Sequence, residues 1–478
     1  MASIAILGGS VIGSATALQF ARSGWQVTLV DPEFELMDRA SIEPSEVVVR
    51  PGAPHSVQAH GFPARARYEL GRRLPDVVDE LLAAGAMDSP FTPPPHLHDG
   101  GRPEDVDLHT FRTRRVALDR VITAAVRAQD GIRVLPTRAV GLEIEDGTPP
   151  RATGFALAGG EVVRADVLVD AGGRRSPVAD WLAAEGVVAG EVVDECGLSY
   201  YGRHFSITGD RPPLNNPFAD VHEFPTHLQL GFLGDNDTMM MALSPHADDR
   251  ALKVLRHESA FMAALAANEA FADWMKVLMP ETDVFCLGSL KNRMRSLAPG
   301  DRPLVLGLHQ VGDALAMTNP NRGRGISMGL AAVGRLHDLV TTIGQDAEAV
   351  TMEYAAWQRD VLAVYYREAA ATDAELGSRL RANLLGTAGP PTAPSVELPD
   401  GHPVTSRQIE AAAQTDPDLF RAFVRALSLL DDDRMIASPQ VTDAVLRAVP
   451  DEPPRPGPPS PGRVGDREAW LKVLEPFS

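Results

Sequence analysis

Ala2-Ser-Ile-Ala-Ile-Leu-Gly-Gly-Ser-Val-Ile-Gly-Ser-Ala-Thr-Ala-Leu-Gln-Phe-Ala-Arg-Ser-Gly-Trp-Gln-Val-Thr-Leu-Val-Asp31 reads as a strand, a glycine turn, a helix and a second strand closed by an acid. That order predicts a dinucleotide-binding βαβ unit. Gly8 permits the tight turn, position 10 lets the backbone approach a pyrophosphate, and Gly13 lets the helix pack closely on the strand. The helix N-terminus offers free N–H groups and a partial positive charge to the phosphates. Ser10 replaces the middle glycine with a small residue whose hydroxyl can reach a phosphate oxygen, and Asp31 stands where a ribose hydroxyl would be held. Taken alone, this stretch leaves NAD and FAD open.

The rest of the composition narrows the setting. A chain of 478 residues is long enough for two or three domains or subdomains. A net charge of −19, from 64 acids against 45 basic residues, argues against a chain-wide nucleic-acid or anionic-membrane surface. Cys196 and Cys286 are too few for a disulfide scaffold and are not spaced for a metal site, so the expectation is a reduced, cytoplasmic protein without a metal. Ile4 to Leu7 already belongs to the first strand, which leaves no room for a leader, and no long apolar run predicts a membrane span.

Outward from Asp31, Val47 to Gly61 is too rich in proline and glycine for a helix and is expected as an ordered loop beside the nucleotide, with Arg50 reaching toward the pyrophosphate. Tyr68 to Ala84 and Thr113 to Arg127 have helical periodicity; Arg114 and Arg115 in the first turn of the second require an anionic partner or solvent. Ile132–Pro136, Ala139–Glu145, Thr153–Ala158 and Glu161–Arg164 predict a small antiparallel meander. Ala165 to Asp170 is a buried-type strand running into Gly172-Gly173, where an acid is commonly a ligand contact. Alternation from Cys196 to Leu243 predicts a second sheet and one wall of a substrate cavity, followed by helix over Asp248–Leu278 and strands over Phe285–Met294 and Pro303–Gly307. Gly312-Asp313 and Pro320-Asn-Arg-Gly323-Arg-Gly325 open a further helix, and long helices continue to Leu385. Gly389–Pro403 reads as a linker, Ile409–Leu430 as helical, and Pro450–Pro461 as a proline-rich strap.

Three separated stretches together resemble the class A flavoprotein monooxygenases, the p-hydroxybenzoate hydroxylase-like family. They are Gly8 to Asp31, Asp170-Ala-Gly-Gly-Arg-Arg-Ser176, and Gly312-Asp313 with Pro320 to Gly325. The resemblance covers roughly residues 1 to 385 and implies FAD rather than NAD as the bound nucleotide. It implies Gly8, Ser10, Gly13, Asp31, Arg50, Arg115, Asp170, Gly312, Asp313, Pro320, Gly323 and Gly325 as cofactor-binding residues. Asp313 would accept from a ribityl hydroxyl, and the Pro320 loop would aim a helix N-terminus at the flavin's pyrimidine edge, where negative charge develops on reduction.

The implied fold class is α/β: a Rossmann-like FAD-binding domain of glutathione-reductase type, interleaved with an antiparallel-sheet substrate domain and followed by a helical C-terminal region. The expected boundaries are 1–80, 105–190 and 285–345 for the FAD domain, 81–104 and 191–284 for the substrate domain, and 346–478 for the C-terminal region. By resemblance, NAD(P)H would reduce the flavin, O₂ would form a C4a-hydroperoxide, and an electron-rich small molecule, an aromatic or other secondary metabolite, would be hydroxylated or epoxidised. On the cavity strand, alternation puts Tyr201 and Arg203 on one face and His204 on the other. Tyr201 and Arg203 are the expected catalytic pair; His60 and His309 are read as structural. A flavin-dependent reductase or dehydrogenase, and a cyclase or isomerase with FAD as scaffold, are the alternatives. Halogenation is disfavoured because Trp25, Trp181, Trp274, Trp357 and Trp470 are all isolated. A monomer or homodimer is expected.

Overall fold

The computed structural model describes residues 1–39, 48–215, 218–288, 290–344, 346–387, 393–453 and 467–477. Val47, residues 389–392 of the linker and residues 454–461 of the strap lie outside the described residues.

A five-stranded parallel sheet forms the centre, in the order Leu308–Gln310, Val167–Asp170, Ser3–Leu7, Gln26–Val30, Ile132–Leu135. Its strands are apolar runs because both faces are covered: on one face Ile4 and Ile6 pack with Leu18 and Leu336 of two helices, and on the other Ala5 and Leu7 pack with Leu168 and with Phe155 of the strand Arg151–Leu157. Leu7 registers with Val30 on one side and Asp170 on the other, and Gln310 registers with Asp170. The loops that begin at Gly8, Asp31, Ala171 and Val311 therefore leave the same sheet edge, although up to 300 residues separate them in sequence by order of magnitude. This is the carboxyl edge on which open α/β sheets bind ligands.

The second sheet is antiparallel and six-stranded, with His227–Leu233 and Thr238–Pro245 beside Tyr200–Ile207. Met239, Met240 and Met241 are fully buried strand residues shared between its two faces. The mixed α/β class with parallel core, antiparallel sheets and a helical C-terminal region is the architecture the sequence predicts.

Four local expectations are corrected. Ile132–Leu135 is the edge of the parallel sheet, paired with Val27–Val30, so the meander comprises Ala139–Glu145, Arg151–Leu157 and Val162–Arg164 only. Pro303–Gly307 is not a strand: Leu304 N bonds to Leu297 O and Leu306 N to Pro150 O, and the chain enters the sheet only after Gly307. Phe285–Met294 divides into Phe285–Leu287 and Lys291–Ser296, which join different sheets. The 68–84 helix is two helices, Ala64–Arg73 and Pro75–Ala83, because Pro75 cannot continue the first and instead starts the second.

After the helix Ala363–Leu385, the helices Ser406–Ala413, Pro417–Leu427 and Pro439–Ala448 enclose a small core of their own around Ile409, Leu419 and Val445. Arg421 fixes this unit to the 3₁₀ turn at Pro103–Leu108, with its Nε 2.7 Å from Asp105 and its Nη2 2.8 Å from Asp99. The last helix, Arg467–Leu474, buries Trp470 against Phe224 and His227 of the second sheet, with ring centroids 4.7 Å apart in each case. Among the described residues no helix is long and apolar enough to cross a membrane.

Candidate functional site

The cradle at the sheet edge is built by close backbone contact. A Cβ on Gly13 would lie 1.7 Å from the Gly8 carbonyl oxygen, so the helix Val11–Arg22 reaches the turn only because position 13 has no side chain. That helix has no acid in its first turn and no side-chain cap from Ser10, which leaves its amides facing outward. The Ser10 hydroxyl is instead taken up by Arg115 Nη2 at 2.8 Å and Asp119 Oδ1 at 3.3 Å. Arg115 is buried and pairs through Nε with Asp119 Oδ2 at 2.9 Å, which holds a guanidinium against the open helix end.

Asp31 accepts from Gly9 N at 2.5 Å, Glu33 N at 2.6 Å and Arg50 Nη2 at 2.9 Å. Among the described residues the Nε and Nη1 of Arg50 are buried without a hydrogen-bond partner, the Nε having only the Glu33 carboxylate at 3.9 Å. Buried donors of this kind are costly unless a ligand takes them, and an oxygen-rich dinucleotide meets that need. The cradle therefore fits the pyrophosphate and ribose of FAD, with Gly8, Ser10, Gly13, Asp31, Arg50 and Arg115 in one place.

Asp170 sits behind this edge. Its carboxylate is fully buried and accepts from Gly172 N at 3.0 Å, Ser176 Oγ at 2.7 Å and Gln310 Nε2 at 3.0 Å. Burial pushes its pKa up, and these hydrogen bonds oppose the rise. In the structure Asp170 ties the second motif to the third rather than projecting into open space.

Asp313, on the turn Gly312–Ala314, makes no side-chain hydrogen bond with described residues and lies close to Gly325, whose Cβ position is 3.6 Å from its Oδ1. Desolvation raises its pKa against the pull of Arg115, Arg174 and Arg293. A carboxylate unsatisfied among the described residues, with the charges of Arg115, Arg174 and Arg293 around it, is suited to accept from a ligand hydroxyl. We expect Asp313→Ala to cut the flavin retained through purification by about tenfold, the loss of one charged hydrogen bond. Flavin-to-protein absorbance checks this, and full occupancy would reject the role.

The helix Arg324–Ile343 starts from Gly323 at φ +63°, without a side-chain cap and without acids in its first turn. A Cβ there would lie 2.1 Å from the Gly61 carbonyl oxygen. The Pro320 loop thus rests directly on the His60–Pro63 segment, a close approach that the sequence did not reveal.

Beyond that contact opens a cavity of about 630 Å³. One wall is apolar, with Phe62, Phe111, Leu228, Leu230 and Phe232; the other carries Arg322, Arg324, Glu375 and Arg379. Leu427, Ser428 and Ala393 border it, so the C-terminal unit helps to enclose it. His60 lines the cavity, donates from Nδ1 to Gln58 O at 2.8 Å, and stacks on Phe62.

Tyr201 and Arg203 do not line this cavity, which corrects the expected facing. Tyr201 packs with Phe205, Leu243 and Phe261 under the helix Glu258–Ala267. Arg203 bonds to Thr282 O at 2.6 Å and Glu258 Oε2 at 2.5 Å. The opposite face of the strand is the one toward the 54–63 loop: His204 Nε2 meets Val57 O at 2.8 Å, and a Cβ on Gly202 would strike Gln58. Arg203→Ala is accordingly expected to lower stability by roughly 1–3 kcal/mol while leaving kcat and KM unchanged; denaturant titration and steady-state kinetics separate the two.

His309 is a buried strand residue against Tyr354, and no group of metal-ligating side chains occurs among the described residues. Five histidines share an electrostatic feature. Burial, foremost among the causes, holds His55, His204 and His309 at about 4 and His60 and His227 at about 3, against 6.5 for the free side chain. Below pH 6.5 the unfolded chain takes up protons that the folded one refuses, so stability is lost as pH falls toward 4. Each histidine contributes about 1.4 kcal/mol per pH unit in that window. Asp431, raised by burial to about 6, acts with the opposite sign below that value. Denaturant titrations between pH 7 and 5 check the sign; stability that rises on acidification would contradict it.

Residues 3–160 match the family model described as FAD dependent oxidoreductase. A search of curated proteins finds no match to this sequence. Among solved structures, the flavin-dependent brominase Bmp2 superposes with a TM-score of 0.60 at 16% identity, over 93% of this chain and 98% of its own. PqsL of Pseudomonas aeruginosa, a probable FAD-dependent monooxygenase, gives 0.58 at 15% identity over 81% of this chain and 100% of its own. The Diels-Alderase PyrE3 of the pyrroindomycin pathway gives 0.57 at 14% identity over 90% and 81%. These likenesses establish the fold, and with the family match they support an FAD-dependent oxidoreductase.

Proposed function

We propose that the protein is an FAD-dependent monooxygenase that uses NAD(P)H and O₂ to hydroxylate or epoxidise an electron-rich small molecule held in the 630 Å³ cavity. The observation that carries this reading is a shared boundary: His60, Gly61, Arg322 and Arg324 line the cavity and also belong to the loops that frame the cofactor cradle. FAD bound there supplies hydride acceptance and oxygen activation. The open N-terminus of the Arg324–Ile343 helix would present amides to the ring edge that gains negative charge on reduction. The wall of Phe62, Phe111 and Phe232 excludes water from the reacting atoms, and His60, held neutral, adds no competing charge. The chain's three motifs, in the order found in class A flavoprotein monooxygenases, support that subclass.

The fold by itself does not select the reaction, since its neighbours include a brominase, a probable monooxygenase and a Diels-Alderase. Anaerobic stopped-flow mixing of the purified yellow protein with NADPH or NADH decides. The expected result is bleaching of the flavin, with oxygen consumed when air is readmitted. A flavin that neither nucleotide reduces sinks the monooxygenase reading and leaves a cyclase or isomerase with FAD as scaffold.

A further inference from the structure

The turn Pro320–Arg322 is tied on both sides to one helix, Ala363–Leu385. After the turn, Arg324 Nη1 donates to Tyr365 O at 2.8 Å and pairs with Glu368 at 3.1 Å. Before it, the tie runs through Asn292 on the strand Lys291–Ser296. That strand pairs with Ala316–Met317, Arg293 against Met317 and Met294 against Ala316, and the ladder stops there. Pro320 has no N–H, so Asn319 N is the last backbone donor before the turn, in a buried residue where it must be paired. The Asn292 side chain takes it: Oδ1 accepts from Asn319 N at 2.7 Å, while Nδ2 donates to Asp373 Oδ2 at 2.9 Å. A peptide N–H on one side and a carboxylate on the other fix which way this amide points. Asn292 is completely buried and Asp373 nearly so, which keeps water from competing for either bond.

We propose that Asn292 is a positioning residue for the flavin's redox balance: by tying Asn319 N to Asp373 it sets the pose of the Pro320 turn, and so aims the first amides of the Arg324–Ile343 helix at the ring. The assignment rests on seating the flavin ring at that turn, as in the reading above. The turn has little freedom of its own. Gly323 N closes it on Pro320 O at 2.9 Å, and a Cβ on Gly323 would lie 2.1 Å from the Gly61 carbonyl oxygen. A shift at Asn319 is therefore passed on to the start of the helix rather than absorbed. Donors stabilise the negative charge of a reduced ring only when they already point at it, because a misaligned hydrogen bond weakens steeply. Releasing Asn319 should thus disfavour the reduced flavin without emptying the cradle, whose bonds at Ser10, Asp31 and Arg115 do not involve Asn292.

The test is the midpoint potential of the FAD-loaded protein, read by dithionite reduction beside a reference dye, which needs neither nucleotide nor substrate. Asn292→Leu deletes both bonds at similar volume. It should lower the reduced-to-oxidised equilibrium constant about tenfold, or about 30 mV for two electrons, at unchanged flavin content. Asn292→Asp sets two carboxyls against each other and should do the same. The double variant Asn292→Asp/Asp373→Asn exchanges donor and acceptor at constant charge: the carboxylate at position 292 accepts from Asn319 N and from the amide at position 373. Its potential should return to that of the parent. A merely structural role would lower the stability of the single variants and leave their potentials alone. Parent potentials in the single variants, or a double variant as low as the singles, would each overturn the proposal. If Asn292→Leu does not fold, Asn292→Asp against the double variant carries the comparison. A potential indifferent to Asn292 in a protein that NADPH or NADH reduces overturns this assignment alone. A potential that follows the tie in a protein that neither nucleotide reduces overturns the monooxygenase reading alone.

Discussion

Gly13→Ala is expected to purify without flavin and to unfold well below the parent protein. The added methyl group would stand 1.7 Å from the Gly8 carbonyl oxygen and 2.8 Å from its carbon, both backbone atoms of the turn itself. No rotamer can relieve such a contact. Either the helix Val11–Arg22 lifts from the first strand or the turn opens, and both displace the amides that face the pyrophosphate. The cost should exceed the roughly 1–3 kcal/mol typical of overpacked cores, because backbone rather than side chain must yield. Gly71→Ala provides the control. It lies exposed on the helix Ala64–Arg73 with nothing within 4 Å of its Cβ position, and should keep its flavin while gaining about 0.5–1 kcal/mol. A Gly13→Ala protein with full flavin content would contradict the cradle as described.

The second large effect is expected at Arg114. Its Nη2 lies 2.6 Å from Asp235 Oδ2 and its backbone N 2.7 Å from Asp235 Oδ1, with both side chains almost completely buried. This pair clamps the start of the helix Arg115–Ala128 to the turn between the strands His227–Leu233 and Thr238–Pro245, and so joins the cradle to the cavity sheet. Burial alone would raise the Asp235 pKa, but the hydrogen bonds from Arg114 bring it below the usual carboxylate value. Arg114→Ala strands that charge and should cost about 3–5 kcal/mol in a denaturant titration. Replacing both members by apolar residues should recover much of the loss, because no unpaired charge remains. A single variant as stable as the parent would refute the clamp.

Arg114 also illustrates what the sequence could and could not disclose. A pair of arginines in the first turn of a helix demands anions, and that demand is local; Asp119, four residues after Arg115 on the same helix, is recorded by that spacing, whereas Asp235, the partner of Arg114, depends on a chain crossing that no spacing records. The glycine turns were legible for the same reason in reverse. Gly8, Gly13, Gly312 and Gly323 are required by backbone geometry within a few residues, so each motif carried its own structural context.

Facing was not legible. Tyr200 to Phe205 are buried on both sides of the strand, so alternation separates Tyr201 and Arg203 from His204 without saying which set meets the cofactor loop. Gly202 held the missing signal: a strand residue without a side chain marks close approach, and Gln58 fills that space. The charged wall was hidden differently. Arg322 comes from the Pro320 turn, Glu375 and Arg379 from the helix Ala363–Leu385, and Glu223 from an edge strand, and only the folded chain brings them together. Likewise Ile132–Leu135 looks like the first strand of the meander it precedes, but its register with Val27–Val30 places it in the parallel sheet.

The most direct test of the account is the electron density of the flavin in crystals of the purified yellow protein. The account predicts FAD with its pyrophosphate at the N-terminus of the Val11–Arg22 helix beside Arg115, its ribityl chain at Asp313, and its ring at the seam between the Gly323 turn and the cavity lined by His60 and Phe62. A flavin seated elsewhere, or one whose ring is walled off from that cavity, would contradict it.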